Sequence, residues 1–345
     1  MAVKLYLHTG YPKCGSTTIQ EALHLNRVAL RRRGYGVCGR DMQLMTARSS
    51  KRFPIGFFRR GFDAARERQT VDYRQAFKLL AEQAEKAKLK AVVLSAENLS
   101  ARWAPAAIAG AGDYFDCRFI SYFRRQDDWL ISSWSQWQFK SGESLEAFLL
   151  RKTQTGQARI YQPVMEAYQS VFKHEQFRLR LLSRSHLVGG DLNSDFWDAI
   201  EVDPLGLEAA PSQNVSFSVP LATTLKESAY LFNDPHDNRL TAFIDEYHQH
   251  RAGRKPDPLG PARRRALLEC YEEENRWIEA KFFPDGQLGH WRDIPEQDED
   301  RARAIRQADQ PSLQGMSEVL NINLAVLHSL RQDIDDIKKS LGLTT

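Results

Sequence analysis

The stretch Leu5-Tyr-Leu-His-Thr-Gly-Tyr-Pro-Lys-Cys-Gly-Ser-Thr-Thr-Ile-Gln20 constrains the chain more than any other. An apolar run, Val3–Leu7, predicts a strand, and it leads into a loop punctuated by Gly10 and Gly15. An amphipathic helical pattern then opens at Ser16. Strand, tight loop and helix N-terminus in that order make an anion cradle, because loop amides converge there and the helix dipole favours negative charge.

The spacing of Gly10 and Gly15 fits the first part of a Walker-type P-loop, with Thr17 in the place of its final Ser or Thr. One position departs from that pattern. Ser16 stands where a nucleoside-triphosphatase lysine belongs, and the loop's own lysine, Lys13, comes earlier, after Pro12. A lysine there can reach a bound phosphate from a different side.

At 345 residues the chain can hold one large α/β domain, or a domain with a smaller appendage. With 42% hydrophobic and 27% charged residues, its make-up is that of a globular protein. No run approaches the roughly 20 apolar residues that span a bilayer, so no transmembrane segment is expected. Val3–Leu7 is too short for the apolar core of a signal peptide, which makes a cytoplasmic location the expectation. The four cysteines, Cys14, Cys38, Cys117 and Cys270, form no CxxC pair, so neither a metal site nor a disulfide framework is predicted. A net charge of +4 does not indicate a nucleic-acid binder. Basic residues do cluster, at 31–33, 59–60, 124–125 and 263–265. Such clusters are either solvated helix faces or the walls of a cleft that receives anions.

Along the chain, helical periodicity continues from Ile19 to Leu30, and Tyr35–Cys38 predicts a short strand. Residues 40–72 are rich in Arg, Phe and Gly without clean periodicity, and are expected to form a loop insertion on the acceptor side of the site. A helix is predicted at Tyr73–Lys88, then a buried strand at Ala91–Leu94, apolar throughout as parallel strands covered on both faces are. A helix near Pro105–Ala111 precedes a strand at Arg118–Phe123, and the next helix carries Trp129, Trp134 and Trp137. A further strand is expected at Phe177–Leu182 and a helix at Phe196–Ile200. This alternation predicts a three-layer α/β domain, P-loop-like, with a central parallel sheet flanked by helices. Ligands of such sheets sit at the carboxyl ends of the strands, where Thr9–Thr17, Ser95–Ser100 and Arg124–Asp128 would gather.

The domain is expected to span 1–292, with 205–292 mostly helical, followed by a polar linker at 293–312 and a patterned helix at 313–345. In that helix Met316, Leu320, Asn323, Leu327, Leu330, Ile334, Ile337 and Leu341 alternate four- and three-residue steps over about three heptads. The pattern is read either as a short coiled coil that joins copies of the chain, or as a terminal helix docked on its own domain.

Two motifs carry a resemblance. Tyr11-Pro-Lys-Cys-Gly-Ser-Thr17 looks like the 5′-phosphosulfate loop of sulfotransferases that use 3′-phosphoadenosine 5′-phosphosulfate (PAPS), usually written Pro-Lys-Ser-Gly-Thr-Thr. Ile120-Ser-Tyr-Phe-Arg-Arg-Gln-Asp-Asp-Trp-Leu-Ile-Ser-Ser133 looks like that family's 3′-phosphate element, in which a strand-ending arginine is followed eight positions later by a serine, as Arg124 is by Ser132. The chain most resembles the bacterial and carbohydrate-directed branches, over roughly residues 3–220. Softer likenesses are Ser95-Ala-Glu-Asn-Leu99, Leu187-Val-Gly-Gly-Asp-Leu192 and Gln213-Asn-Val-Ser-Phe217.

The resemblance implies a sulfuryl transfer from PAPS to a hydroxyl, of a saccharide or glycolipid in these branches, leaving adenosine 3′,5′-bisphosphate and needing no metal. Lys13, the amides of Cys14, Gly15, Ser16 and Thr17, and the hydroxyls of Ser16, Thr17 and Thr18 would hold the phosphosulfate. Arg124 offers a permanently charged planar fork for the second phosphate, with the Ser132 hydroxyl beside it. In-line displacement also needs a base for the acceptor proton. Glu97 is the favoured candidate, since carbohydrate sulfotransferases use a glutamate in a comparable place. His8 is the rival, since cytosolic relatives use histidine, and a hydrogen-bonded core histidine is the plainer reading of it. Cys14 replaces the family's usual serine and is expected to act through its backbone. The tryptophans are expected in the core, with stacking on adenine or sugar as the other reading, while Asn98, Asn214 and Ser216 are candidates for acceptor or adenine contacts by analogy. Two competing readings are a P-loop kinase with a shifted lysine, for which Asp127 and Asp128 are the nearby carboxylates, and a non-catalytic nucleotide-binding member acting through its C-terminal helix.

Overall fold

The apolar run at the head of the chain forms β1 (Lys4–His8), the middle strand of a five-stranded parallel sheet ordered β2-β3-β1-β4-β5. The computed structural model describes residues 2–154, 158–210, 217–238, 240, 258–292, 294 and 313–341. After β1 come α1 (Ser16–Leu25), α2 (Arg27–Arg32), β2 (Tyr35–Val37), α3 (Ile55–Arg66) and α4 (Arg74–Lys86). These are followed by β3 (Ala91–Ser95), α5 (Ala104–Ile108), β4 (Asp116–Phe123), α6 (Gln126–Trp134) and α7 (Leu145–Thr153). Then α8 (Gln162–Gln169), β5 (Phe177–Leu181), α9 (Leu192–Ala199) and α10 (Val219–Lys226) complete the middle of the chain. The last helices are α11 (Gly260–Cys270), α12 (Glu272–Phe282), α13 (Gly289–Arg292) and α14 (Leu313–Ser340). The result is the expected α/β arrangement, a parallel sheet flanked by helices. No described helix is long and apolar enough to cross a membrane.

The chain divides into two compact units. The first, Met1–Arg125 with Arg159–Asn214 and Glu274–Asp285, holds the whole sheet. All five residues of β3 are buried, and so are Leu5, Tyr6 and Leu7 of β1, as strands covered on both faces must be. Register sets His8 level with Ser95 of β3 and Ile120 of β4. Strands β1 and β3 therefore end level, while β4, their neighbour on the other side of β1, runs on to Phe123 before releasing its loop.

Three details differ from the sequence reading. The Ser16–Leu30 helix is two helices, because Asn26 leaves the helical track to exchange hydrogen bonds with the Glu208 backbone, donating at 2.8 Å and accepting at 2.8 Å. The 40–72 stretch is no simple loop: α3 occupies twelve residues of it. Its missing periodicity has a cause in packing, for α3 buries only Phe58 and Gly61, and Gly61 lies so close to the Trp103 ring that a Cβ would collide with it. Finally, α6 stops at Trp134, leaving Trp137 in the turn beyond.

The second unit is Gln126–Ala158 with Val215–Glu273 and Gly286–Thr345. Trp134 is buried, donates to the Glu143 carbonyl at 2.8 Å, and packs edge-on to Phe139, which in turn meets Phe217 and Phe232. Arg264 of α11 grips both Asp127 and Asp128 of α6. The first turns of α14 lie on α10, where Gly315 allows close approach to the Pro220 carbonyl and the Thr224 hydroxyl. Ser218 donates to Glu318 at 2.7 Å across the same contact. The expected linker at 293–312 lies outside the described residues except for Ile294, and so do Asn214 and Ser216.

Candidate functional site

Beyond β1, the backbone folds into a turn in which the Cys14 amide bonds the Tyr11 carbonyl at 3.1 Å. Pro12 takes the second position and Lys13 the third, at φ 65°. That is the sense of a type II turn, whose third position suits glycine. A lysine there costs on the order of 1 kcal/mol in backbone strain. Gly15, at φ 83°, then caps α1 without a side chain, and the first turn of α1 contains no acidic residue. A Cβ on Gly15 would run into the Leu192 side chain, and one on Gly10 would lie 3.4 Å from Glu97 Cα. The loop is thus hemmed in by its own unit, and its helix amides carry no capping side chain. Thr17 is exposed, Lys13 and Gly15 are half-buried, and Ser16 and Thr18 are buried.

Glu97 opens the short 3-10 turn after β3 and is half-buried. The Ser16 hydroxyl donates to its Oε1, which ties the glutamate directly to the head of α1. The Ser100 hydroxyl donates to the Glu97 carbonyl at 2.7 Å and steadies that turn. Asn98, beside it, keeps a buried Oδ1 without a hydrogen-bond partner among the described residues.

Arg124 follows β4 directly. Its Nη1 donates to the Lys13 carbonyl at 3.2 Å, so the strand-ending arginine lies against the loop of β1. Its backbone is held by Tyr161, whose hydroxyl accepts from the Arg124 amide at 3.0 Å and donates to its carbonyl at 2.6 Å. Burial pushes the Tyr161 phenol well above its ordinary range, so the hydroxyl keeps the proton it donates. Tyr161 also stacks on Phe123 and meets Tyr11 edge-on at 5.0 Å. Beneath it the buried Glu274 carboxylate accepts from the amides of Ile160, Tyr161 and Gln162 at 2.7, 2.7 and 2.9 Å, closing the N-terminus of α8. Tyr161 and Glu274 were missed in the sequence. Pro163 signals a helix start, but nothing near it announces a partner more than a hundred residues away.

The remaining candidates fall elsewhere. His8 is fully buried, with Nδ1 2.8 Å from Ser95 Oγ and its ring edge-on to Tyr122 and Phe196. Burial alone pushes its pKa down to about 3, so it is a neutral packed side chain closed to solvent. This is the core reading, and it argues against His8 as the base. Cys14 is buried, and burial pushes its thiol up to about 12 against the opposing pull of Arg124. Its sulfur lies 3.9 Å from the Tyr161 hydroxyl, a packing role that leaves the backbone as its link to the loop. Ser132 is buried on α6 and belongs to the second unit, while His8, Lys13 to Thr18, Glu97 and Arg124 belong to the first. Of the tryptophans, Trp134 is core, as expected, while Trp129 and Trp137 are only half-buried.

The chain was compared with family models, curated proteins and solved structures, and no significant match was found in any of them.

Proposed function

We propose that this chain is a P-loop-like sulfotransferase that moves a sulfuryl group from PAPS to a hydroxyl, of a saccharide or glycolipid. The observation that carries the reading is the meeting of three loops at the ends of β3, β1 and β4. Glu97 accepts from Ser16, and Arg124 donates to the Lys13 carbonyl. An acid, a lysine loop and an arginine are thereby held within one compact unit, which is the set that a phosphosulfate donor and a hydroxyl acceptor require.

The residues fit such a donor. Glycine-lined backbone, a side-chain-free cap and an acid-free first turn suit a polyanion. Lys13 and the amides of Cys14 to Thr17 would hold the phosphosulfate, with the hydroxyls of Ser16, Thr17 and Thr18 around it. Arg124 would take the 3′-phosphate. When bound, the donor supplies the sulfuryl group and a phosphate as leaving group. Lys13 would stabilise charge on that phosphate. Glu97 Oε1 is occupied by the Ser16 hydroxyl, and among the described residues Oε2 has no partner. It is the oxygen we assign to the acceptor proton.

The kinase reading draws no support from the aspartates after β4, since both carboxylates are already gripped by Arg264. Sulfate transfer from labelled PAPS to a panel of sugars, glycolipids and phenols tests the proposal. Transfer to at least one hydroxyl class, lost on Glu97→Gln, is expected. Magnesium-dependent ATP turnover with no transfer would overturn it.

A further inference from the structure

The C-terminal helix α14 resolves the two readings of its pattern by using two different stripes. Gly315 meets α10, and Ile322, seven residues on, is only 6% exposed. With Leu320 as heptad position a, both fall at position c. The a and d row is a separate stripe. Leu320, Leu327, Leu330, Ile334, Ile337 and Leu341 are each at least half exposed, from 51% to 65%. They cover roughly 32 Å of helix at 1.5 Å per residue. Docking on α10 therefore leaves the apolar heptad row uncovered. An exposed apolar row of that length, broken only by Asn323, marks an interface.

The charges beside the row say what covers it. In the same register Asp333 is at g and Lys338 at the following e. In a parallel pair the g residue of one helix faces the next e residue of the other, which sets Asp333 against Lys338 of a second copy, twice by symmetry. An antiparallel pair sets g against g and e against e, so Asp333 of one copy never meets Lys338 of the other. The row is self-complementary in one orientation only. Asn323 at a d position adds a polar group to the seam, the device that fixes register in coiled coils. We propose that α14 joins two copies of this chain as a parallel two-stranded coiled coil through residues 320–341, while its first turns remain docked on α10. This proposal is independent of the catalytic reading.

The test uses the full chain in sedimentation or light scattering. The expected mass is twice the 39.6 kDa of one chain. Ile334→Lys with Ile337→Lys, both at exposed positions that leave folding intact, should weaken the pair at least about a hundredfold and return a single-chain mass. Asp333→Lys and Lys338→Asp should each weaken self-pairing about tenfold, yet pair with one another when mixed, because mixing restores both opposite-charge contacts. A single-chain mass for the unaltered protein at about 100 times its assay concentration would overturn the proposal. So would a double-chain mass that survives the two isoleucine substitutions. Charge variants that pair no better mixed than alone would overturn the parallel orientation.

Discussion

Two carboxylates flank β1, one near its start and one beyond its end, and the protein treats them oppositely. Glu201, near the start, accepts from Lys4 at 2.6 Å, Arg178 at 2.6 Å and the Tyr6 hydroxyl at 2.8 Å. Those donors, Lys4 foremost, hold its carboxyl down at about 2. Glu97, beyond the end, accepts from one neutral hydroxyl. A carboxylate ringed by cations is fixed in the charged state and does structural work. One held by a single hydroxyl retains an oxygen for another proton donor. On the proposed reading Glu97 does chemistry and Glu201 architecture, and both assignments can be broken.

The largest expected effect is on rate. Glu97→Gln should lower kcat by about a hundred- to ten-thousandfold, the usual range for a lost general base, with donor binding and stability nearly unchanged. Equal loss of donor affinity would mean that Glu97 positions the loop through Ser16 instead.

Acid titration comes next. The pKa of His8 is lower in the folded chain, about 3, than in the unfolded one, about 6.5. The unfolded state therefore binds more protons at mildly acid pH. Stability from this group is fully present above about pH 6.5 and is lost as pH falls toward 3, with a ceiling of about 5 kcal/mol at 1.36 kcal/mol per unit. Denaturant titrations between those limits should show the loss, and His8→Asn should flatten it without lowering activity near neutral pH. A His8→Asn protein that is folded and inactive would restore histidine as the base.

Smaller effects sharpen the contrast. Glu201→Gln should leave activity intact and cost about 1 kcal/mol by denaturant melting, since its side chain is 42% exposed and solvent screens the pairs. Lys13→Gly should weaken donor binding while raising stability by up to about 1 kcal/mol, because glycine relieves the strain of φ 65°. A destabilised Lys13→Gly protein would show that the lysine is there for the fold.

How much of this was legible in the sequence follows from where the information lies. Strands β1 and β3 and the late part of β4 are local signals, apolar runs bounded by glycine or charge. Gly10, Gly15 and the early lysine are equally local, so the loop could be read as an anion cradle with a displaced lysine. Helix α3 could not, because its inward face is little more than Phe58 and Gly61, and a glycine reads as helical only once Trp103 is seen against it. The suppression of His8 and Cys14 depends on burial among distant residues, Tyr122 and Phe196 around His8 and Tyr161 beside Cys14. The support of Arg124 by Tyr161 and Glu274 joins three distant segments, and no spacing rule links them. The heptad row was visible from the start. Which stripe docks and which stays open required the contact with α10.

The central claim is that the loop of β1 and Arg124 together hold a nucleotide carrying phosphates at both its 3′ and 5′ positions. Calorimetric titration with adenosine 3′,5′-bisphosphate, set beside adenosine 5′-monophosphate and ATP with magnesium, tests it most directly. The account predicts that the bisphosphate binds, that removing its 3′-phosphate weakens binding at least about tenfold, as the loss of a charge-assisted contact should, and that Arg124→Ala erases this difference. Binding of ATP with magnesium in preference to the bisphosphate, or no binding of the bisphosphate, would contradict it.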